Sequence, residues 1–415
     1  MGHDERSEVH AIEARRGVAH GVVAARSHVL DDGSDRLVDA RGSNGALRAV
    51  REGVESGLES VHAFHAASVS TLWEVACAVS ERTMVPCRIW WRSPIEDAAL
   101  EPLRADPAFD LVKIGAEGEP PDGPLDVLVD GTPSDAALDV PGLRHVIVPY
   151  AGIRPSLQAQ LLARPHLTLH NSHFNAGFVA QHALALVLAG AGRLVRYDQA
   201  LRRGDWRGGS EDAVSPDRWG GPPSVHLAGK RALLVGYGAI GKALHPLLEA
   251  VGLEVHAVRR TPAPSDPVPT SDLGGLHEAL AASDVVVVSL PGTPATQGVF
   301  GAAAFSALRD GAVFVNVGRG AVMDEDATWE ALNARKFSAL ALDVWWTYPD
   351  ETSEGAVFPS RHPFHTHPDV LMSPHRANAV DAWRTVRVDD VHATLRAIWL
   401  EGDLAHNRVE PSLGY

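Results

Sequence analysis

A glycine-rich turn is the segment of this sequence whose residue spacing points most directly to chemistry. It follows the apolar run 231–235, precedes a helix expected over 242–251, and reads Gly236-Tyr237-Gly238-Ala239-Ile240-Gly241. In such a turn the first glycine permits a tight bend, the second lets backbone approach a pyrophosphate, and the third lets helix and strand pack closely. The free N–H groups that begin the helix attract anions. The sequence therefore predicts a dinucleotide site here.

Two arginines stand where such a site usually carries an acid for the adenosine ribose. The strand expected over 253–258 ends at Arg259-Arg260, about 20 residues after the turn, and neither position offers a carboxylate. Two guanidinium groups can hold a 2'-phosphate through paired hydrogen bonds, which favours NADP over NAD. The alternative interpretation is a pair of solvated arginines at a strand end, in which case NAD is bound.

Short apolar runs that alternate with helical stretches predict the elements that position this turn. The expected strands form one series before residue 200 and another after it, namely 88–91, 111–114, 127–129, 146–148 and 167–169, then 231–235, 253–258, 284–290, 312–317, 338–344 and 370–372. Continuous apolar runs of this kind are typical of parallel strands buried on both faces. The fold class predicted is α/β, with two doubly wound parallel-sheet domains.

Three further segments connect the two series. A long helix is expected over 178–201, followed by a polar crossing loop over 204–223 that is rich in Gly, Pro and Trp. A last helix, about 379–400, is long enough to return to the first domain. Such a return would close a cleft between the domains, which is a common position for a small-molecule site.

Composition excludes several classes of partner. The formal net charge of −15 and the isoelectric point near 5.7 argue against a broad nucleic-acid surface. No apolar run reaches the roughly 18 residues of a membrane-spanning helix, so no membrane partner is expected. Two cysteines are too few for a disulfide framework, which favours the cytoplasm. No histidine spacing indicates a metal site, and His166, His170, His173, His182 and His392 are interpreted as packing or surface residues.

The composition changes near residue 84. None of the 28 prolines precedes Pro86, and residues 1–83 also lack lysine. We expect residues 1–83 to be an extension that is disordered or lies upstream of a true start at Met84. The alternative is an accessory helical segment over 46–80.

Three motifs follow the glycine turn and, together with it, resemble a known family. They are Asn316-Val317-Gly318-Arg319-Gly320, Ala341-Leu342-Asp343-Val344 and Ser373-Pro374-His375. In this order and approximate spacing they resemble the D-isomer-specific 2-hydroxyacid dehydrogenases over most of residues 87–400. The resemblance implies a flavodoxin-like substrate domain of residues 84–200 plus 376–415, an inserted NAD(P)-binding Rossmann domain of residues 201–375, and a homodimer.

The resemblance also implies roles for individual residues. Arg319 would grip the carboxylate and carbonyl oxygen of a 2-oxo acid, because a planar charged fork can stabilise the oxyanion that forms at C2. His375 would be the general acid and base. The loop Tyr150-Ala151-Gly152 would hold the substrate carboxylate through backbone N–H groups. The remaining cofactor positions would be Pro291, Val317, Gly318 and Asp343, the last beside the nicotinamide.

One catalytic position departs from the family pattern. The family carries a glutamate five residues after the aspartate and directly before a proline, where it supports the histidine; here that residue is Tyr348, before Pro349. A tyrosine can hydrogen-bond an imidazole but supplies no charge at neutral pH. Glu351 or Glu354, on the loop that follows, could take over this role.

Two functions are compatible with these residues. The first is NAD(P)-dependent interconversion of a small 2-oxo acid and a D-2-hydroxy acid, in the reductive direction because the two arginines favour NADPH. The second is a dinucleotide-sensing binding protein that keeps the fold without turnover, an option suggested by the missing glutamate. The retention of Arg319 and His375 favours the enzyme.

Overall fold

The computed structural model describes residues 85–117, 119–207 and 221–413, which form two helix-covered sheets. The strands of the first sheet are β1 Cys87–Trp91, β2 Phe109–Ile114, β3 Val127–Val129, β4 His145–Val148, β5 Thr168–Asn171 and β13 Arg408–Val409. Their order is β13-β5-β4-β3-β1-β2, parallel throughout except that β13 runs antiparallel to β5. Without β13 this is the 2-1-3-4-5 order of flavodoxin-like folds. The predicted extension over residues 1–83 and the proposed start at Met84 lie outside the described residues.

The second sheet is entirely parallel. Its strands are β6 Arg231–Val235, β7 Glu254–Val258, β8 Thr270–Ser271, β9 Val285–Val288, β10 Ala312–Asn316, β11 Phe337–Leu342 and β12 Val370–Met372. Their order is β12-β11-β10-β9-β6-β7-β8. The chain adds β7 and β8 on one side of β6 and then crosses over to add β9 to β12 on the other side, so the direction in which strands are added reverses between β6 and β9. This is the Rossmann order, in which a dinucleotide binds at the reversal. Both predicted sheets are confirmed, and every predicted strand ends within two residues of its expected position.

Ten α-helices cover these sheets in the described residues. They are α1 Glu101–Arg104, α2 Asp135–Leu138, α3 Pro155–Leu162, α4 Ala176–Ala191, α5 Leu194–Leu201, α6 Ala239–Ala250, α7 Leu276–Ala281, α8 Ala302–Ala307, α9 Glu325–Asn333 and α10 Trp383–Arg396. The prediction of one helix over 178–201 is wrong. It divides into α4 and α5, bent by 60°, because Arg193 takes a left-handed backbone with a φ of 51° after Gly192.

Helices α4 and α10 connect the two halves of the chain. Helix α4 packs on the second sheet, where Val179, Ala183 and Val187 join the core of β10 and β11. Helix α10 returns to the first sheet, where Val388 and Leu395 pack with the residues of β1, as the sequence predicts. The exact domain boundaries given above stay a prediction.

No single helix in the described ranges is long and apolar enough to cross a membrane. By length and composition alone, the bent pair of α4 and α5 is the one candidate for a broken span.

Candidate active site

The glycine turn after β6 has the shape that a dinucleotide requires. Gly236 has a φ of +106°, and a Cβ there would lie 2.9 Å from the Ser289 hydroxyl. A Cβ at Gly241 would lie 2.4 Å from the Gly236 carbonyl oxygen, whereas one at Gly238 would meet nothing within 4 Å. Packing therefore demands the first and third glycines, and the second leaves open space in front of the N-terminus of α6. A pyrophosphate fits this space.

Not every side chain of the turn faces that space. Tyr237 is buried, and its hydroxyl pairs with Nδ1 of His245 at 2.9 Å, so its side chain belongs to the core. Ile240 instead lines the large cleft described below. The prediction that Tyr237 binds cofactor can therefore apply only to its backbone.

The two arginines that follow β7 are not equivalent. Nη1 of Arg259 donates to Asp266, which also accepts from the Ala263 N–H at 2.9 Å and the Thr270 hydroxyl at 3.1 Å. These contacts, led by the Ala263 N–H, keep the pKa of Asp266 below its usual value despite partial burial. The Asp266 carboxylate was not predicted from the sequence, because it lies on a loop that comes back to the end of β7. Arg260 lies on the exposed side.

Arg319 extends from a turn that its own neighbours shape. The Asn316 side chain accepts from the Gly318 N–H at 2.9 Å and donates to the Arg319 carbonyl at 3.0 Å. A Cβ at Gly320 would lie 2.0 Å from the Trp345 carbonyl oxygen, so the backbone after β11 passes directly against this glycine. The guanidinium remains exposed, with one hydrogen bond to the Gly318 carbonyl at 2.7 Å.

His375 lies in the turn after β12 and has a left-handed backbone with a φ of 55°. Asp343, at the end of β11 and 1% exposed, holds this turn. Its carboxylate accepts from the Ser373 hydroxyl and from the backbone N–H groups of Arg376 at 2.9 Å and Ala377 at 3.2 Å. Both oxygens are thus engaged within the protein. Asp343 therefore holds the histidine turn in position. Its placement beside the nicotinamide stays a prediction.

His182 on α4 completes this network. Its Nε2 lies 3.1 Å from the Ser373 hydroxyl and 3.5 Å from Oδ1 of Asp343. Burial raises the pKa of Asp343, but the hydrogen bonds from His182, Ser373 and the two backbone N–H groups lower it further, and the net shift is downward. The sequence interpretation assigned His182 to packing. The only available signal was its place near the start of an Ala-rich helix.

Tyr348 contacts His375 through its ring and not through its hydroxyl. The two ring centroids are 5.6 Å apart with planes inclined by 51°, while the hydroxyl accepts from the Trp345 N–H at 3.0 Å. No hydrogen bond joins Tyr348 to the imidazole. Burial raises the pKa of the phenol although that N–H lowers it, so position 348 is uncharged at neutral pH. Glu351 and Glu354 are exposed and make no ion pair or hydrogen bond with His375, so the structure does not support them as substitutes.

Eight of the predicted site residues meet in one cleft of about 720 Å³. The loop Tyr150-Ala151-Gly152 after β4 lies on one side, and a Cβ at Gly152 would come within 3.3 Å of Nη2 of Arg319. The remaining predicted residues that line the cleft are Ile240, Val317, Arg319, Asp343 and His375. Tyr348 lines an adjoining cavity of about 530 Å³ that Arg319 and His375 share.

Some predicted residues lie elsewhere. Pro291, Gly318 and the two arginines after β7 do not line the cleft. A Cβ at Gly318 would lie 2.6 Å from the Leu290 carbonyl oxygen, so this glycine serves close backbone packing. Arg154 and Arg387, which the sequence interpretation did not single out, do line the cleft.

Comparison with known proteins agrees with this geometry. Residues 184–377 match the family model for the NAD-binding domain of D-isomer-specific 2-hydroxyacid dehydrogenases. The chain is 31% identical to a glyoxylate/hydroxypyruvate reductase B of Citrobacter koseri over 54% of this chain and 65% of that protein. It is 33% identical to a D-3-phosphoglycerate dehydrogenase of Archaeoglobus fulgidus over 41% of this chain and 30% of that protein. The matches thus span under two thirds of these curated relatives.

Solved structures match over more of their length. A D-isomer-specific 2-hydroxyacid dehydrogenase of Xanthobacter autotrophicus, in complex with NADPH and MES, superimposes with a TM-score of 0.63 at 26% identity, covering 80% of this chain and 99% of that one. An NADPH-dependent glyoxylate/hydroxypyruvate reductase of Sinorhizobium meliloti, with NADP and malonate, gives a TM-score of 0.56 at 26% identity, covering 80% and 98%. With the glycine turn, Arg319 and His375 in their places, the chain is similar to the D-isomer-specific 2-hydroxyacid dehydrogenases both in the sequence of its NAD-binding domain and in its fold.

Proposed function

We propose that this protein reduces a 2-oxo acid to a D-2-hydroxy acid with NADPH. One observation carries the proposal: Arg319, His375 and the Tyr150–Gly152 loop line a single cleft that also reaches Ile240 of the glycine turn. A cation, a proton donor and a backbone anion cradle thus face the same space as the dinucleotide turn. This is the set of groups that carbonyl reduction next to a carboxylate requires.

The reaction consumes a 2-oxo acid, NADPH and a proton, and yields the 2-hydroxy acid and NADP. NADPH, when bound, supplies the hydride. The Arg319 guanidinium binds the substrate carboxylate and the carbonyl oxygen, and so stabilises the negative charge that develops there. The His375 imidazolium donates its proton to that oxygen. Because His375 is exposed, solvent can reprotonate it after each turnover.

The absence of a carboxylate at position 348 favours this direction. Oxidation requires a neutral imidazole that accepts the hydroxyl proton, and a neighbouring carboxylate would stabilise the resulting imidazolium. Tyr348 presents only an aromatic ring to His375. Reduction starts from the protonated imidazole and depends less on such a base.

NADP is the proposed cofactor, with NAD as the alternative. Arg260 is exposed at the end of β7, and Arg259 is held beside it by Asp266. Two neighbouring guanidinium groups at this position support binding of a 2'-phosphate. Two solved relatives carry NADPH or NADP, which agrees with this proposal.

The direct test is the loss of NADPH absorbance with a panel of 2-oxo acids that includes glyoxylate, hydroxypyruvate and phenylpyruvate. We expect turnover with NADPH, a clearly higher KM for NADH, and a loss of about 100-fold or more in kcat/KM for Arg319→Gln. Arg309→Gln is the matched control, since Arg309 is an exposed arginine that pairs with Asp284 at 3.0 Å, away from the cleft. Nucleotide binding without turnover on any 2-oxo acid would instead support the dinucleotide-sensing alternative.

We also propose a homodimer that acts in the cytoplasm. Helix α5 exposes Leu194 by 58% and Leu201 by 50%, an apolar surface that a second subunit can cover. Light scattering tests the dimer, and Leu194→Glu should shift it to monomer.

A further inference from the structure

Arg387 on α10 is a buried cation that no carboxylate balances. Its relative exposure is 7%, Nη2 donates to the Pro94 carbonyl at 2.5 Å, and the guanidinium carbon lies 4.8 Å from the centre of a Trp383 ring. Its Nε is buried and has no hydrogen-bond partner. None of the acidic side chains in the described residues lies within ion-pair distance of it. A buried charge in this state is costly unless a ligand completes its pairing.

The guanidinium lies at the substrate end of the cleft. Arg387 and Tyr150 both line it, and Pro94 and Tyr150 follow β1 and β4 at the carboxyl edge of the first sheet. Ligands of parallel α/β sheets bind at this edge. Burial lowers the pKa of Arg387 to about 10, so the side chain stays charged at neutral pH. The Tyr150 phenol cannot neutralise it at that pH, because burial raises the pKa of the phenol.

The cleft holds more positive charge than the proposed reaction needs. Its charged lining consists of Arg154, Arg319, His375, Arg387 and Asp343, and both oxygens of Asp343 are engaged by the histidine turn. This local excess contrasts with the net charge of −15 on the whole chain. Arg319 accounts for the substrate carboxylate, and the start of α6 accounts for the pyrophosphate. Arg154, exposed at the start of α3, and Arg387 have no anion left to bind.

We propose that Arg387 and Arg154 form a second anion subsite, and that the substrate is a 2-oxo acid with an anionic group at the far end of its side chain. This inference rests on the proposed function and specifies its substrate class. Guanidinium groups bind carboxylates and phosphates through the same paired hydrogen bonds, so the terminal group is either of these. The two are distinguished by the substrates chosen below.

The first measurement compares wild-type kcat/KM for three pairs of substrates. 2-Oxoglutarate is compared with 2-oxopentanoate, oxaloacetate with 2-oxobutanoate, and 3-phosphohydroxypyruvate with hydroxypyruvate. We expect the anionic member to be preferred by about 10- to 100-fold in at least one pair, the gain typical of a hydrogen bond to a charged group. The pair with the largest ratio identifies the terminal group as a carboxylate or a phosphate. Ratios near one in all three pairs would overturn the subsite.

The second measurement uses variants. Arg387→Met should lower kcat/KM for the anionic member of the preferred pair far more than for its uncharged partner, so that the preference is abolished, because the distal contact is lost. Arg387→Lys should retain part of the preference, since it keeps the charge without the planar fork. Arg396→Met is the control on the same helix, because Arg396 is ion-paired with Asp106 and lies outside the cleft. A preference that survives in both Arg387→Met and Arg154→Gln would contradict the proposal.

Further measurements apply if a variant does not fold or if no 2-oxo acid is reduced. If Arg387→Met does not fold, the exposed Arg154→Gln and the charged Arg387→Lys still report on the preference. If no 2-oxo acid is reduced, the proposed function fails, and the subsite is then tested by binding. In the presence of NADPH, the subsite is supported if 2-oxoglutarate raises the melting temperature, 2-oxopentanoate does not, and Arg387→Met loses this difference. Equal stabilisation by both acids refutes the subsite.

Discussion

The turns that present Arg319 and His375 face the same cleft, yet they are held in opposite ways. The arginine turn is shaped from within, since Asn316 bonds to two residues of its own turn and Gly320 fits against the passing backbone. The histidine turn has no such internal support. Its geometry comes from Asp343, directly after β11, and, through Ser373, from His182 on α4. A sequence motif can encode the hydrogen bonds of the Asn316 side chain, but the contacts that hold the histidine turn exist only in the folded chain.

Among the tests of this comparison, Gly320→Ala should have the largest effect. The added Cβ would meet the Trp345 carbonyl at 2.0 Å, backbone against backbone, and neither partner can rotate away. We expect a loss of about 3 kcal/mol or more in the free energy of unfolding, together with loss of activity.

Gly238→Ala is the matched control for this substitution, because its Cβ meets nothing within 4 Å. It should leave the denaturation midpoint unchanged but raise the KM for NADPH by about tenfold or more, since it fills the space in front of α6. Equal stability of the two variants would show that the arginine turn is not sterically locked.

Asp343→Asn tests the support of the histidine turn. The amide keeps the size of the side chain but cannot accept all of the hydrogen bonds from Ser373, Arg376 and Ala377. We expect kcat to fall by about 100-fold, because a small displacement of the proton donor is costly. A kcat that falls no more than that of a surface variant would show that the turn holds itself.

The same substitution should change the pH dependence of stability. The pKa of Asp343 in the folded protein is below its ordinary value of 3.8, so its hydrogen bonds stabilise the fold fully above the unfolded pKa. This contribution is lost as the pH falls through the folded pKa. Urea denaturation should therefore show a difference of about 2 kcal/mol between wild type and Asp343→Asn at pH 7, which narrows below about pH 4.

The difference between local motifs and long-range contacts also explains which features could be predicted from the sequence. The strand positions could be predicted because buried parallel strands are continuous apolar runs. The glycine turn, Arg319 and His375 could be predicted because short sequence motifs contain them. The two-residue strands β8 and β13 carry no such pattern. The Asp266 contact to Arg259, the role of His182 and the burial of Arg387 all depend on long-range packing that no local spacing reveals.

Tyr348→Glu sharpens the comparison at the position where this chain departs from the family pattern. A carboxylate beside His375 would stabilise the imidazolium, so the pH midpoint of the reductive rate should rise by about one unit and oxidation of the hydroxy acid should accelerate. Tyr348→Phe keeps the ring contact at 5.6 Å and removes only the acceptor for the Trp345 N–H, so it should not move the midpoint. A pH profile of Tyr348→Glu that matches wild type would contradict the role of this position.

The smallest expected effect belongs to His182→Gln. The glutamine amide can still reach Ser373 or Asp343 but not hold both, so the histidine turn should loosen without collapsing. We expect kcat to fall by a few-fold with little change in the KM of either substrate, because His182 acts through the turn and does not line the cleft. His256→Gln, at a half-buried histidine on β7, is the control for a general loss of stability. An effect on KM alone would place His182 in substrate binding, and its support of the histidine turn would then be wrong.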